Sequence, residues 1–154
     1  MNLAVKKYKI RDHEVTLYPS SHLHSIFNCS KDGVYKKIKR GLVPEPNFKT
    51  EKGRFLFSIE ELAIIDYVYK EVWPYRQGVA VPLWVKELLE DAFAIAKKLI
   101  ITYGYSQSDE DWEELDIKYT QFSKDRLQSY IYSWRKRFSN EVFFQELVDK
   151  ESEV

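Results

Sequence analysis

Two prolines separated by one residue, Pro44 and Pro46, interrupt a first half that is otherwise patterned for short helices. Proline fixes φ, lacks an amide donor and biases the residue before it toward extended backbone, so no helix passes through residues 42–48. Thr50-Glu51-Lys52-Gly53 has turn composition, and Arg54-Phe55-Leu56-Phe57 is aromatic and strand-forming. A β-hairpin with its tip at Thr50 to Gly53 is therefore expected. Ser58-Ile59-Glu60-Glu61 follows as a capping box, opening a helix with Leu62, Ile65, Tyr69 and Val72 on one face and Trp73-Pro74 as its stop.

Upstream, Val5, Tyr8, Ile10, Val15 and Leu17 alternate weakly, which predicts a short strand or arm over residues 1–18. Pro19-Ser20-Ser21 is a helix-entry signal, followed at helical spacing by Leu23, Ile26 and Phe27. The pattern stops at Asn28-Cys29 and restarts at Ser30, with Val34 and Ile38 as the apolar positions and Gly41 as the C-terminal stop. Two short helices divided by a tight break are read as a helix-turn-helix, with the hairpin behind it as a wing.

Equal totals of 24 basic and 24 acidic residues conceal an uneven distribution. Residues 31–54 carry eight basic and three acidic side chains, the electrostatic footprint of an anion-binding surface or of a solvated face that binds nothing. The candidate DNA-contacting residues are Lys31, Tyr35, Lys36, Lys39 and Arg40 on the second helix and Lys49, Lys52 and Arg54 on the wing. Most are lysines, which suit phosphates as point charges better than bidentate reading of bases. Gly33, inside the helix, either allows close approach to DNA or relieves a packing clash.

The order Cys29-Ser30-Lys31-Asp32-Gly33-Val34-Tyr35-Lys36-Lys37-Ile38-Lys39-Arg40-Gly41-Leu42, Pro44-Glu45-Pro46 and Gly53-Arg54-Phe55-Leu56-Phe57-Ser58-Ile59-Glu60-Glu61-Leu62 resembles the winged helix-turn-helix of MerR-type regulators, phage excisionases and AlpA-like proteins. Phe55 stands where MerR proteins commonly place a phosphate-contacting arginine, which moves the likeness toward the excisionase and AlpA branch. His24 stands where the family usually has a small residue. The resemblance implies double-stranded DNA as partner, with the second helix in the major groove and the wing on backbone or minor groove. It also implies an oligomeric transcriptional regulator or DNA accessory factor. Small phage terminase subunits, adaptors in genome packaging, carry such a domain too. A protein-interaction module that binds no DNA is the remaining alternative.

The expected fold is mainly α: the winged helix-turn-helix with a two-stranded wing over residues 19–73, a linker at 74–81, an α-helical bundle over 82–148 and a polar tail at 149–154. Pro82 suits the first turn of a helix ending at Gly104, with Trp84, Leu88, Ala92, Ile95 and Leu99 on one face. Ser108 and Ser123 are read as caps of two more helices, the second carrying Leu127, Tyr130, Ile131, Trp134 and Phe138, and a short helix is expected over 140–148. The aromatic surplus of this half points to homo-oligomerisation, with Trp84, Leu88, Ile95, Leu127, Ile131 and Trp134 as candidate contacts. Six acids among residues 109–116 suit a helix start. Arg135-Lys136-Arg137 is either a second DNA-facing patch or charge complementing the end of its own helix.

Nothing in the chain supports catalysis. His22 and His24 are two apart, on different sides of a helix, rather than at the i, i+4 spacing of a zinc site, and Cys29 has no second thiol near it. Ser20-Ser21 beside His22 is explained by capping. No glycine-rich phosphate loop occurs, and the longest apolar run, residues 92–101, is broken by Lys97 and Lys98 and too short to span a membrane. The reading is therefore a non-enzyme, cytoplasmic, with no metal, cofactor, membrane or small-molecule substrate.

Overall fold

The computed structural model describes residues 6–10, 12–27, 31–104 and 109–137. Strand β1 (Lys6–Ile10) pairs antiparallel with β2 (His13–Pro19), placing Tyr8 opposite Val15. Strand β2 continues onto β4 (Phe55–Ser58), with Leu17 opposite Ser58, and β4 pairs with β3 (Phe48–Lys49). The sheet is thus four-stranded, in the order β1-β2-β4-β3, where the sequence had suggested a two-stranded wing and a separate arm. The reason is physical: β4 is too apolar to leave an edge open, and β2 supplies both hydrogen bonds and a second apolar row. Val15, Leu17 and Leu56 are buried together against Ile100 of the long helix described below.

A 3-10 turn at Ser20–Leu23 leads into the single turn α1 (His24–Phe27), and α2 spans Lys31–Lys39. The break read at Asn28-Cys29 lies outside the described residues. Helix α2 buries Val34 and Ile38 and ends where Gly41 takes φ 79°. There the Gly41 amide donates to the Ile38 carbonyl and the Leu42 amide to the Lys37 carbonyl, a Schellman closure that a side chain would strain.

Helix α3 (Ile59–Tyr67) is buried on every side and runs into a wide turn, Val68–Val72. The turn ends at Trp73, which is extended (φ −142°, ψ 93°) because Pro74 follows it. A helix buried all round, its acids Glu60, Glu61 and Asp66 included, must be surrounded by other elements. Here it is covered by the sheet, by α4 (Leu83–Tyr103), and by a helix over residues 124–137, which we call α6 after α5 (Asp109–Lys118). One hydrophobic cluster runs without interruption from Tyr18 to Trp134. The molecule is mainly helical with one small antiparallel sheet.

Helix α4 turns a slightly different face inward than its spacing suggested. Its buried row is Val85, Leu88, Leu89, Ala92, Phe93, Ala96, Leu99 and Ile100, leaving Trp84 and Ile95 half-buried at the margin.

Candidate nucleic-acid interface

Helix α2 is two-sided. With Val34 and Ile38 turned into the core, Tyr35, Lys36, Lys39 and Arg40 stand exposed on its outer face. Lys31 starts the helix, and its side chain lies outside the described residues. The Lys39 ammonium sits 5.0 Å from the centroid of the Tyr35 ring, which holds the two side chains together on that face. On the hairpin, Lys52 and Arg54 are exposed, while Lys49 lies 3.1 Å from Glu45 and over the Phe55 ring. The tip is closed by the Gly53 amide donating to the Thr50 carbonyl (2.9 Å) and the Arg54 amide donating to Thr50 Oγ1 (3.0 Å). Gly53 adopts φ 81°.

Among the described residues, Lys36, Lys39, Arg40, Lys52 and Arg54 hold no carboxylate. Elsewhere Lys70, Lys98, Lys118, Arg126 and Arg135 each do. Lys86 and Lys97 are also unpaired, but they share α4 with Glu87 and Glu90.

A feature that the sequence did not disclose adjoins α2. An open cleft of about 360 Å³ separates the flank of this helix, with Gly33, Lys36, Lys37 and Arg40, from the segment 75–80. Lys37 lies 5.6 Å and 5.5 Å from the ring centroids of Phe27 and Tyr75. The signal was present only in part: residues 33, 36, 37 and 40 form a helical stripe, but nothing local shows that residues 75–80 fold back against it.

The hairpin is tied to the helices through Glu61. Its Oε1 accepts from the Ser58 amide and from Ser58 Oγ (both 2.9 Å), as the capping box requires. Its Oε2 accepts from the Asn47 amide (3.0 Å) and Asn47 Nδ2 (3.2 Å), and Nδ2 also donates to the Phe93 carbonyl of α4 (2.9 Å). Burial pushes this carboxyl up to about 7, against the lowering effect of the Ser58 and Asn47 donors. Burial also raises Glu60, although Arg135 of α6 lies 3.1 Å away and opposes the shift.

The six residues read as self-association contacts are placed differently. Leu88, Leu127, Ile131 and Trp134 are buried in the chain's own core, and Trp84 and Ile95 pack against it. Trp134 Nε1 donates to Asp66 at 2.8 Å. Among the described residues from 82 onward, the large apolar side chains that stay exposed are Leu83, Tyr103, Ile117 and Tyr132. Their positions interrupt the stripes, so periodicity did not single them out. Arg135 pairs with Glu60 and the Arg137 guanidinium lies 5.0 Å from the Trp134 ring centroid; the basic triplet begins with an internal tether, which neither reading of it had included. Phe138, the cap at Ser108 and the helix expected over 140–148 lie outside the described residues, as does Cys29.

His13 Nε2 lies 3.1 Å from the Thr102 carbonyl, and the His22 ring meets the Tyr18 ring edge-on at 5.1 Å. Among the described residues no cluster of three or more His, Cys, Asp or Glu could hold a metal ion, and no helix is long and apolar enough to cross a membrane. Compared with known protein families, curated proteins and solved structures, the chain matches none.

Proposed function

We propose that the chain binds double-stranded DNA through a winged helix-turn-helix, with α2 as the recognition helix and the β3–β4 hairpin as the wing. The observation that carries this reading is the run of cations without carboxylate partners among the described residues: Lys36, Lys39 and Arg40 on one exposed helix face, then Lys52 and Arg54 on the hairpin. A cation that no neighbour neutralises keeps its full attraction for phosphate, and each phosphate contact releases counterions from DNA. The short α2, buried on one side and basic on the other, fits the major groove. Lysine-rich contacts position the protein on the backbone more than they read bases.

The activity proposed is that of a regulator or DNA accessory factor. It works as an oligomer because one small reading head makes few contacts, and a second, linked one raises affinity. Self-association through the exposed Leu83, Ile117 and Tyr132 replaces the buried stripes as the contact. Sedimentation of the intact chain at tens of micromolar is expected to show a species larger than the monomer, and a monomer alone would remove this part.

The test of DNA binding is a salt titration with random-sequence duplex. The double variant Lys36→Gln, Lys39→Gln is expected to weaken binding and lower the log–log salt slope by about 1–2, at roughly 0.9 per phosphate contact. Unchanged affinity and slope would assign the surface to something other than DNA.

A further inference from the structure

The cleft between α2 and the segment 75–80 carries three cations on one wall. Lys36 and Arg40 have no carboxylate partner among the described residues, and Lys37 is held only by the rings of Phe27 and Tyr75. Among the described residues, no acidic side chain lines the cleft. Gly33 and Gly78 leave both walls short of side chains, so backbone borders the space. The rest of the lining is neutral or apolar, with Leu42, Tyr75 and Val79 beside the cations. Its volume, about 360 Å³, lies within the range of small-molecule sites.

We infer that this cleft binds a small phosphorylated organic molecule of mononucleotide size, with the phosphate between Lys36, Lys37 and Arg40 and the organic part against Tyr75 and Val79. Three cations lining one cleft, with no carboxylate beside them among the described residues, favour an anion, and arginine offers a fork that matches phosphate oxygens. A bare phosphate would leave the aromatic and aliphatic lining uncovered. Lys36 and Arg40 stand on the edge shared by the cleft and the outer face of α2, so on the DNA-binding reading a ligand in the cleft draws on two of the side chains that face DNA. Occupancy then opposes duplex binding, whereas the binding of the small ligand itself does not depend on that reading.

The experiment titrates the full chain with AMP by calorimetry, with inorganic phosphate as the probe of similar charge, and follows a labelled duplex by anisotropy in a separate arm, first without nucleotide and then with AMP added. AMP is expected to saturate and to bind at least about tenfold tighter than inorganic phosphate. Ala80→Glu places a carboxylate opposite the cations at an exposed position. Lys37→Gln removes a cation that is not among those assigned to DNA. Each is expected to weaken AMP at least about tenfold, the effect of losing or neutralising one charge-assisted contact. Adding AMP is expected to release bound duplex. The cleft assignment is overturned if AMP does not saturate, if it binds no tighter than phosphate, or if neither variant weakens it. Duplex binding without AMP binding defeats only the cleft. AMP binding with both variant losses, in a chain that binds no duplex, supports the cleft and defeats the DNA reading.

Discussion

In the second half of the chain, four basic side chains are tied to carboxylates on neighbouring elements. Lys118 meets Asp91 and Lys98 meets Asp111, each at 2.8 Å; Arg126 grips Glu71 and Arg135 reaches Glu60. Along the outer face of α2, Lys36, Lys39 and Arg40 have no such partner among the described residues. The residue types are the same and the roles are not. In the helical half, charge is neutralised within the fold and helps to fix α5 and α6 on α3 and α4. Pairs as exposed as Lys118–Asp91 add little stability. Arg135–Glu60 matters more, because Glu60 is buried and its charge would otherwise be stranded. On α2 the charge is left outward. Net charge cannot distinguish these cases; the local supply of carboxylates does, with three acids for eight bases over residues 31–54.

The comparison breaks most decisively at the centre of the helical half. Trp134→Ala is expected to cost about 3–5 kcal/mol in urea unfolding, because it empties a buried volume and removes the indole donor from Asp66. A loss below about 1 kcal/mol would mean that α6 is not part of the core on which α2 and the sheet also rest.

Next in size is the pH dependence of the joint between the two regions. The Glu61 carboxyl is raised from 4.5 to about 7 in the folded chain. The folded state therefore keeps a proton that the unfolded chain has released. Stability from this group is full below about 4.5 and is lost as pH rises toward about 7, by about 3 kcal/mol at most. Glu60 shifts in the same direction, whereas Glu71 and Asp91, lowered by Arg126 and by Lys118, matter only in more acidic solution. Unfolding free energy measured between pH 4.5 and 7 is expected to fall, and Glu61→Gln should flatten that fall. A profile that rises over this window in the parent chain would show the carboxylate, with its four donors, to be the favoured form.

How much of this was legible depends on range along the chain. The capping box at Ser58 and Glu61 could be read because its partners are three residues apart. The second oxygen of Glu61 could not, since Asn47 is 14 residues away and the bond from Asn47 to Phe93 spans 46. Similarly, alternation showed that Val15 and Leu17 want cover, but not that β4 and Ile100 supply it. The stripes of Leu127, Ile131 and Trp134 showed which face is buried and not what buries it, so an internal contact with α3 was read as a contact between copies. On α2 the outward cations were legible because a short amphipathic helix leaves them only one side. The cleft beside them was not, because its second wall starts 35 residues beyond Arg40, at Tyr75.

A smaller effect separates two glycines with nearly equal φ. Gly104, at 82°, ends α4, and a Cβ there would meet the His13 side chain at 3.0 Å. Gly53, at 81° on the hairpin tip, has open space around that position. Both alanine variants strain the backbone by about 1–2 kcal/mol. Only Gly104→Ala also displaces the ring that reaches the Thr102 carbonyl. Gly104→Ala is expected to be the more destabilising in thermal or urea unfolding, and equal losses would mean that the β2–α4 contact yields freely.

The smallest expected change is also the sharpest for the role of α2. Neutralising Lys36 and Lys39 removes two charges near the C-terminal end of the helix, where cations are favourable by about 0.3–1 kcal/mol each. It also relieves repulsion between like charges at the i, i+4 spacing of Lys36 and Arg40, worth about 0.2–0.5 kcal/mol. The variant also loses the Lys39 contact with the Tyr35 ring, about 0.5–1 kcal/mol at an exposed site, and neither side chain is buried or bridged to a carboxylate among the described residues. With the effects largely cancelling, the double variant Lys36→Gln, Lys39→Gln should unfold within about 1 kcal/mol of the parent chain. A loss above about 1 kcal/mol would place these cations among the groups that hold the fold, as Arg135 does, and would leave them unavailable to a partner.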